Sequence, residues 1–339
     1  MAQLLLVIMQ TEGLNKSSPH GRLLQPDNPL FTMARSGRLR IPQSWLDNHA
    51  VLINKFLYPF SVILFASLVP VISAILGLPI SSLGLSLTGS RPDLGLALYL
   101  IGGFLFVFLL IWLWLKVMEQ RPLWTTGMRR PILKPYLQGL AIGALLFVSV
   151  VLLLRLCGFL EPENSGQGTI WWTTLAGTLL VLVGWAIQGA AEEILFRGFL
   201  MPILSIHWRP AIGVIFSALL FCARHLLTPN IPLISVLNLF LFGLFTALYA
   251  LWEGGLWGVF AVHTIWNWAQ GNIFGLSVSG LDLHSSILFN LMETGPDWVT
   301  GGYFGPEGGV VVTLILICAI SILIALSSRD AQTMPGNAG

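Results

Sequence analysis

Eight stretches of this chain are apolar over lengths that can cross a bilayer: roughly 56–77, 95–116, 135–157, 174–204, 210–227, 231–252, 255–275 and 309–327. A spanning helix needs about 20 predominantly apolar residues. Inside a bilayer only helices and closed barrels satisfy every backbone polar group. The segments are long and continuous, so they predict an all-α fold, a polytopic bundle of about eight transmembrane helices. Composition agrees, with 55% hydrophobic and 9% charged residues against about 25% charged in soluble domains. A net charge of +2 gives no reason to expect a nucleic-acid partner. Cys157, Cys222 and Cys318 fall within or at the ends of apolar runs, which suggests small core residues instead of disulfides or a thiolate metal site.

Three regions follow: a loosely ordered basic arm (1–55), the helical membrane domain (56–327) and a short tail (328–339). Leu4–Met9 is too short to span and has no positive flank before it, so it does not read as a signal peptide. The arm carries Lys16, Arg22, Arg35, Arg38, Arg40 and Lys55, and the loop 117–134 carries Arg121, Arg129, Arg130 and Lys134. With eight spans these segments, Arg209 and the tail fall on one side, while Arg91 stands in the first loop of the other. The positive-inside rule then places both termini in the cytoplasm, in a cell (inner) membrane.

Charge inside the spans is rare and costly. An acidic residue at mid-membrane costs roughly 2.5–3.5 kcal/mol on insertion scales. The fourth segment nevertheless holds Glu192-Glu193-Ile194-Leu195-Phe196-Arg197. Glu193 and Arg197 are four residues apart, share a helix face and can pair. Glu192 lies about 100° round the helix, with Gln188 one turn before it. Glu193 and Arg197 therefore read as a supporting pair and Glu192 as the working group. In the fifth segment Phe221 and His225 share a face; in the seventh, His263 and Asn267 do. Each taken alone is equally well a satisfied core histidine or interhelical glue, and Asn238 in the sixth reads as glue. Depth joins them. At about 1.5 Å per residue, Glu192 lies about 18 Å from the cytoplasmic end of its span, His225 about 22 Å, His263 about 12 Å and Asn267 about 18 Å. The fourth segment, counted from Trp171, is too long for one straight span, so its start lies at the interface or the helix tilts or breaks.

A Glu, two His and an Asn at one depth fit hydrolysis of an amide. A carboxylate can take a proton from water, a neighbouring histidine can orient that water, and a second histidine with an asparagine amide can donate to the oxyanion. No serine or cysteine nucleophile is needed and no cofactor is required. The same two histidines and glutamate are also ligands that zinc accepts, although no H-E-x-x-H pair lies on one helix. A proton-coupled transporter also uses buried carboxylates and histidines, but no inverted repeat is evident. A non-catalytic immunity or scaffold protein is a third reading.

Glu192-Glu193-x-x-x-Arg197, Phe221-x-x-x-His225 and His263-x-x-x-Asn267 together resemble the three-motif signature of the type II CAAX prenyl protease and bacteriocin-processing (CPBP) family. The resemblance covers roughly 170–275, with a weaker likeness in Gly301–Gly308. It implies an intramembrane glutamate-type endopeptidase with about eight helices. It further implies a membrane protein or peptide as substrate, prenylated CAAX proteins among them. By the same resemblance Glu192 is the catalytic glutamate, His225 its water-binding partner, and His263 with Asn267 the oxyanion-stabilising pair.

Overall fold

The computed structural model describes residues 23–40, 43–163, 171–229, 231–281 and 285–332. Leu4–Met9, Lys16, Arg22, Asp282 and the tail after Gln332 lie outside these residues. The helices are α1 (Pro29–Ala34), α2 (Gln43–Leu52), α3 (Tyr58–Leu87), α4 (Pro92–Trp114), α5 (Leu133–Leu156) and α6 (Trp171–Glu193). There follow α7 (Met201–His207), α8 (Pro210–His225), α9 (Leu233–Glu253), α10 (Trp257–Trp268), α11 (Asp297–Thr300) and α12 (Val310–Gln332). Among the described residues the only sheet is a two-stranded antiparallel one, β1 (Leu160–Pro162) with β2 (Leu291–Glu293). The all-α bundle expected from the apolar segments is the architecture observed.

Six helical runs are long and apolar enough to cross a membrane: Asn48–Leu87, Pro92–Glu119, Leu133–Leu156, Trp171–His207, Leu233–Glu253 and Val310–Ser328. With them the chain is an integral membrane protein. The other two expected spans are shorter than the sequence reading made them. α8 has 16 residues, bounded by Pro210 at its start and by the turn Leu226–Thr228 at its end. α10 has 12 residues and gains five more in a π-helical turn, Ala269–Ile273. At 1.5 Å per residue, 16 residues reach about 24 Å, less than a hydrocarbon core of about 30 Å.

These short helices lie where the bundle is most enclosed. α9 is apolar all round, the pattern of a helix with no solvent face, and nearly everything from Asn238 to Leu251 is buried. It packs against α8 and α12, while α10 packs against α5 and α6. α3, α4 and α5 lie outside and expose Leu64, Ile75, Leu105 and Leu145, the surface that lipid covers. Small residues set the close seams: a Cβ added to Gly139 of α5 would fall 2.1 Å from the Gly258 carbonyl oxygen of α10. With no Cβ there, the two backbones come into contact.

The fourth segment is neither broken nor a uniform α-helix. It runs as one helix from Trp171 to His207, with exposed Trp171 and Trp172 at its start and a π-helical stretch, Ile194–Leu200, in its middle. Part of the arm is packed on the bundle. Asn28 caps α1, its side chain accepting from Leu30 N, and donates to the Leu251 carbonyl at 2.9 Å, while Leu30 and Phe31 are buried. Of the three cysteines only Cys222 is a core residue. Cys157 and Cys318 are exposed, and all three are free thiols.

Candidate active site

Glu192 and Glu193 are the last residues of α6 before the backbone widens into the π-helical stretch Ile194–Leu200. Both are buried, Glu193 completely. Such π-helical insertions are frequent at functional sites. Arg197, on that stretch, donates from Nη1 to Glu193 Oε1 at 3.1 Å and from Nη2 to the Gly243 carbonyl of α9 at 3.1 Å. Its guanidinium also sits 4.6 Å from the Phe221 ring centre. The spacing-derived pair is therefore formed, with no solvent access on either side.

Glu193 has a second partner that spacing did not reveal. His263 Nδ1 approaches Glu193 Oε1 at 2.7 Å. A carboxylate that already accepts from Arg197 can only accept, so Nδ1–H is the donor and the imidazole orientation is fixed. The other ring nitrogen, Nε2, lies 3.7 Å from Glu192 Oε2, too far for a direct hydrogen bond. Glu192 Oε2 has no hydrogen-bond partner among the described residues. α6 comes this close to α10 at Gly189, where a Cβ would meet Thr264 N at 3.1 Å.

His225 is the last residue of α8. Its Nδ1–H donates to the Phe221 carbonyl at 3.0 Å, which leaves Nε2 with a lone pair to accept. Phe221 lies between the two histidines, its ring centre 5.1 Å from that of His225 and 6.1 Å from that of His263. Asn267 donates from Nδ2 to Gln188 Oε1 at 2.9 Å, one turn before Glu192. That bond uses one of two amide hydrogens and leaves the second.

Glu192, His225, His263 and Asn267 line one cavity, together with Gln188, Phe221, Ser279 and Glu307. About 30 Å³ of it can be occupied by the centres of water molecules, room for one or two waters. All four residues brought to a common depth by counting thus share one small polar chamber. Ser279 and Glu307 are its unforeseen members. Both come from the long segment between α10 and α12, where the sequence offers only the weaker likeness over Gly301–Gly308. The glycines of Gly301–Gly308 are the trace they leave in the sequence. Asn238 acts as the expected glue, donating to the Glu307 and Gly309 carbonyls at 2.8 Å each.

A zinc site takes three or four protein ligands. Among the described residues no three His, Cys, Asp or Glu side chains gather in a way that could hold one. The δ-nitrogens of His263 and His225 are engaged, by Glu193 and by the Phe221 carbonyl, so each ring has its Nε2 left for the chamber.

Residues 168–269 match the family described as Type II CAAX prenyl endopeptidase Rce1-like. This is the family that the three motifs resemble. The Rce1-like segment takes in α6 to α10 and every motif residue, and stops before Ser279 and Glu307. It relates the chain to CAAX-type endopeptidases of membranes, with a membrane-embedded protein as the general kind of substrate. No curated protein and no solved structure matches the chain.

Proposed function

We propose that the chain is an intramembrane endopeptidase in which Glu192 is the general base. The observation that carries this reading is the chamber itself: it has room for a water, and Glu192 presents to it a buried carboxylate oxygen without a partner. Water held between Glu192 Oε2 and His225 Nε2 attacks the substrate carbonyl carbon as its proton passes to Glu192. The oxyanion is met by the free amide hydrogen of Asn267 and by the Nε2 edge of His263, whose ring is oriented through Nδ1 by the Glu193 carboxylate. Arg197 offsets the charge of Glu193. The C–N bond then breaks as Glu192 returns its proton to the leaving amine. Every proton is accounted for by these side chains, and no step is routed through zinc or another cofactor.

The substrate class that fits is a membrane-associated protein or peptide, prenylated CAAX-like ends included. Both termini are assigned to the cytoplasm. Supporting this, the basic arm meets the start of the basic loop: Arg38 N donates to the Glu119 carbonyl at 2.7 Å and Arg40 N to that of Met118 at 2.9 Å. The test is Glu192→Gln in purified protein with a panel of prenylated and unprenylated peptides. Loss of a general base lowers cleavage by roughly 10²–10⁴-fold. Undiminished turnover in that variant rejects Glu192 as the base; proton or solute flux through liposomes without cleavage would instead favour a carrier.

A further inference from the structure

Glu307 is the second carboxylate that lines the chamber, after Glu192, and the matched segment does not reach it. Both its oxygens are engaged. Oε1 accepts from Trp266 Nε1 at 3.1 Å, and Oε2 accepts from Ser279 N at 2.9 Å and Ser279 Oγ at 2.6 Å. Trp266 precedes Asn267 on α10 and is almost fully buried, its ring 5.2 Å from that of Phe147 and 5.4 Å from that of Phe242. The Phe242 ring in turn lies 5.1 Å from that of His263. The Glu307 backbone is fixed as well. Asn238 holds its carbonyl and that of Gly309, and accepts from Thr313 Oγ1 of α12 at 2.6 Å.

We infer that Glu307 is a positioning residue of this site: its carboxylate clamps Ser279 to Trp266, forming one side of the chamber and holding the turn of α10 that carries His263 and Asn267. The inference rests on the endopeptidase reading. Three donors converge on one side chain, and only a carboxylate accepts all three; a glutamine would aim its own N–H groups at a donor. The loop bends hard to reach the clamp. Ser279 adopts φ +49°, and Gly305 adopts φ +82° where a Cβ would fall 1.9 Å from the Ser277 carbonyl oxygen. Left-handed backbone at a non-glycine residue is strained and persists only where surrounding contacts enforce it.

The test combines kinetics with hydrogen–deuterium exchange of peptides covering 276–309, in nanodiscs, for Glu307→Gln, Glu307→Asp and Glu192→Gln. Glu307→Gln is expected to speed exchange in this segment and to lower kcat by about 10–100-fold with KM changed less than about threefold. Glu307→Asp, which keeps the charge, recovers part of the protection. Glu192→Gln abolishes cleavage and leaves the exchange of this segment as in wild type, so a failed endopeptidase reading is told apart from a failed clamp. A fall in kcat without faster exchange, faster exchange without a fall in kcat, or loss of protection throughout the bundle would each overturn the inference.

Discussion

Replacing Arg197 by Met tests whether Glu193 and Arg197 form a mount for the site. Methionine keeps the length of the side chain and removes its charge. The change deletes the hydrogen bonds to Glu193 Oε1 and to the Gly243 carbonyl, both 3.1 Å. Each bond to a charged group contributes roughly 1.5–3 kcal/mol. It also leaves Glu193, with no solvent exposure, facing His263 alone. Breaking a buried pair on one side costs about 3–5 kcal/mol, and the two estimates agree. The double change Arg197→Met, Glu193→Gln removes the uncompensated anion. It should regain most of the loss, because an apolar or neutral substitute for a buried ion pair is often close to neutral. Denaturant unfolding of the detergent-solubilised protein measures both. Cleavage separates mount from chemistry: the double variant, stable again, still lacks the anion that orients His263 and stays inactive. If the single variant lost less than about 1 kcal/mol, or the double variant were no more stable than the single, the pair would not be the buried, coupled unit described.

Two further outcomes are expected. Gly139→Ala forces its Cβ against the Gly258 carbonyl, so α5 and α10 must part; thermal unfolding should show a loss of about 1–3 kcal/mol, and cleavage should fall with it because α10 carries His263 and Asn267. Glu293, in the strand β2 outside the membrane helices, has its carboxyl pushed up from 4.5 to about 7, chiefly by burial and further by Asp297. The folded protein therefore holds this proton more tightly than the unfolded chain. Its contribution to stability is full below about pH 4.5 and is lost as pH rises through about 7. Melting curves between pH 4 and 8 should show that slope, and Glu293→Gln should remove it.

What could be read from the chain alone was whatever repeats along a helix. Glu193 with Arg197, Phe221 with His225, and His263 with Asn267 lie one turn apart, and a constant rise per residue turns position into depth. The bond from His263 to Glu193 has no such period; it joins residues 70 positions apart through the packing of α6 on α10. Glu307 and Ser279 escaped for the same reason, being brought in by a loop whose bends are made by glycines and by one strained serine. The packing of the arm left a local trace, since Asn28 followed by Pro29 is a helix start. Nothing in the sequence there names Leu251 as the partner. The shortness of α8 and α10 was hidden because the turns flanking them are nearly as apolar as the helices.

The π-helical stretch Ile194–Leu200 divides one long helix into two rotational settings. Before it, Glu192 and Glu193 look toward α10; after it, Met201, Ile203 and Leu204 are buried beside α8. Relative to an α-helical ladder such a stretch holds one extra residue, which turns everything beyond it by about 100°. Deleting a single residue there should not break the helix. It would return the ladder to ordinary register and swing the far apolar face out of its packing, leaving two ends of one rod each correct and no longer correct together. A homologue aligned without a gap in this stretch can therefore match in letters on both sides and still differ in which way the second half points.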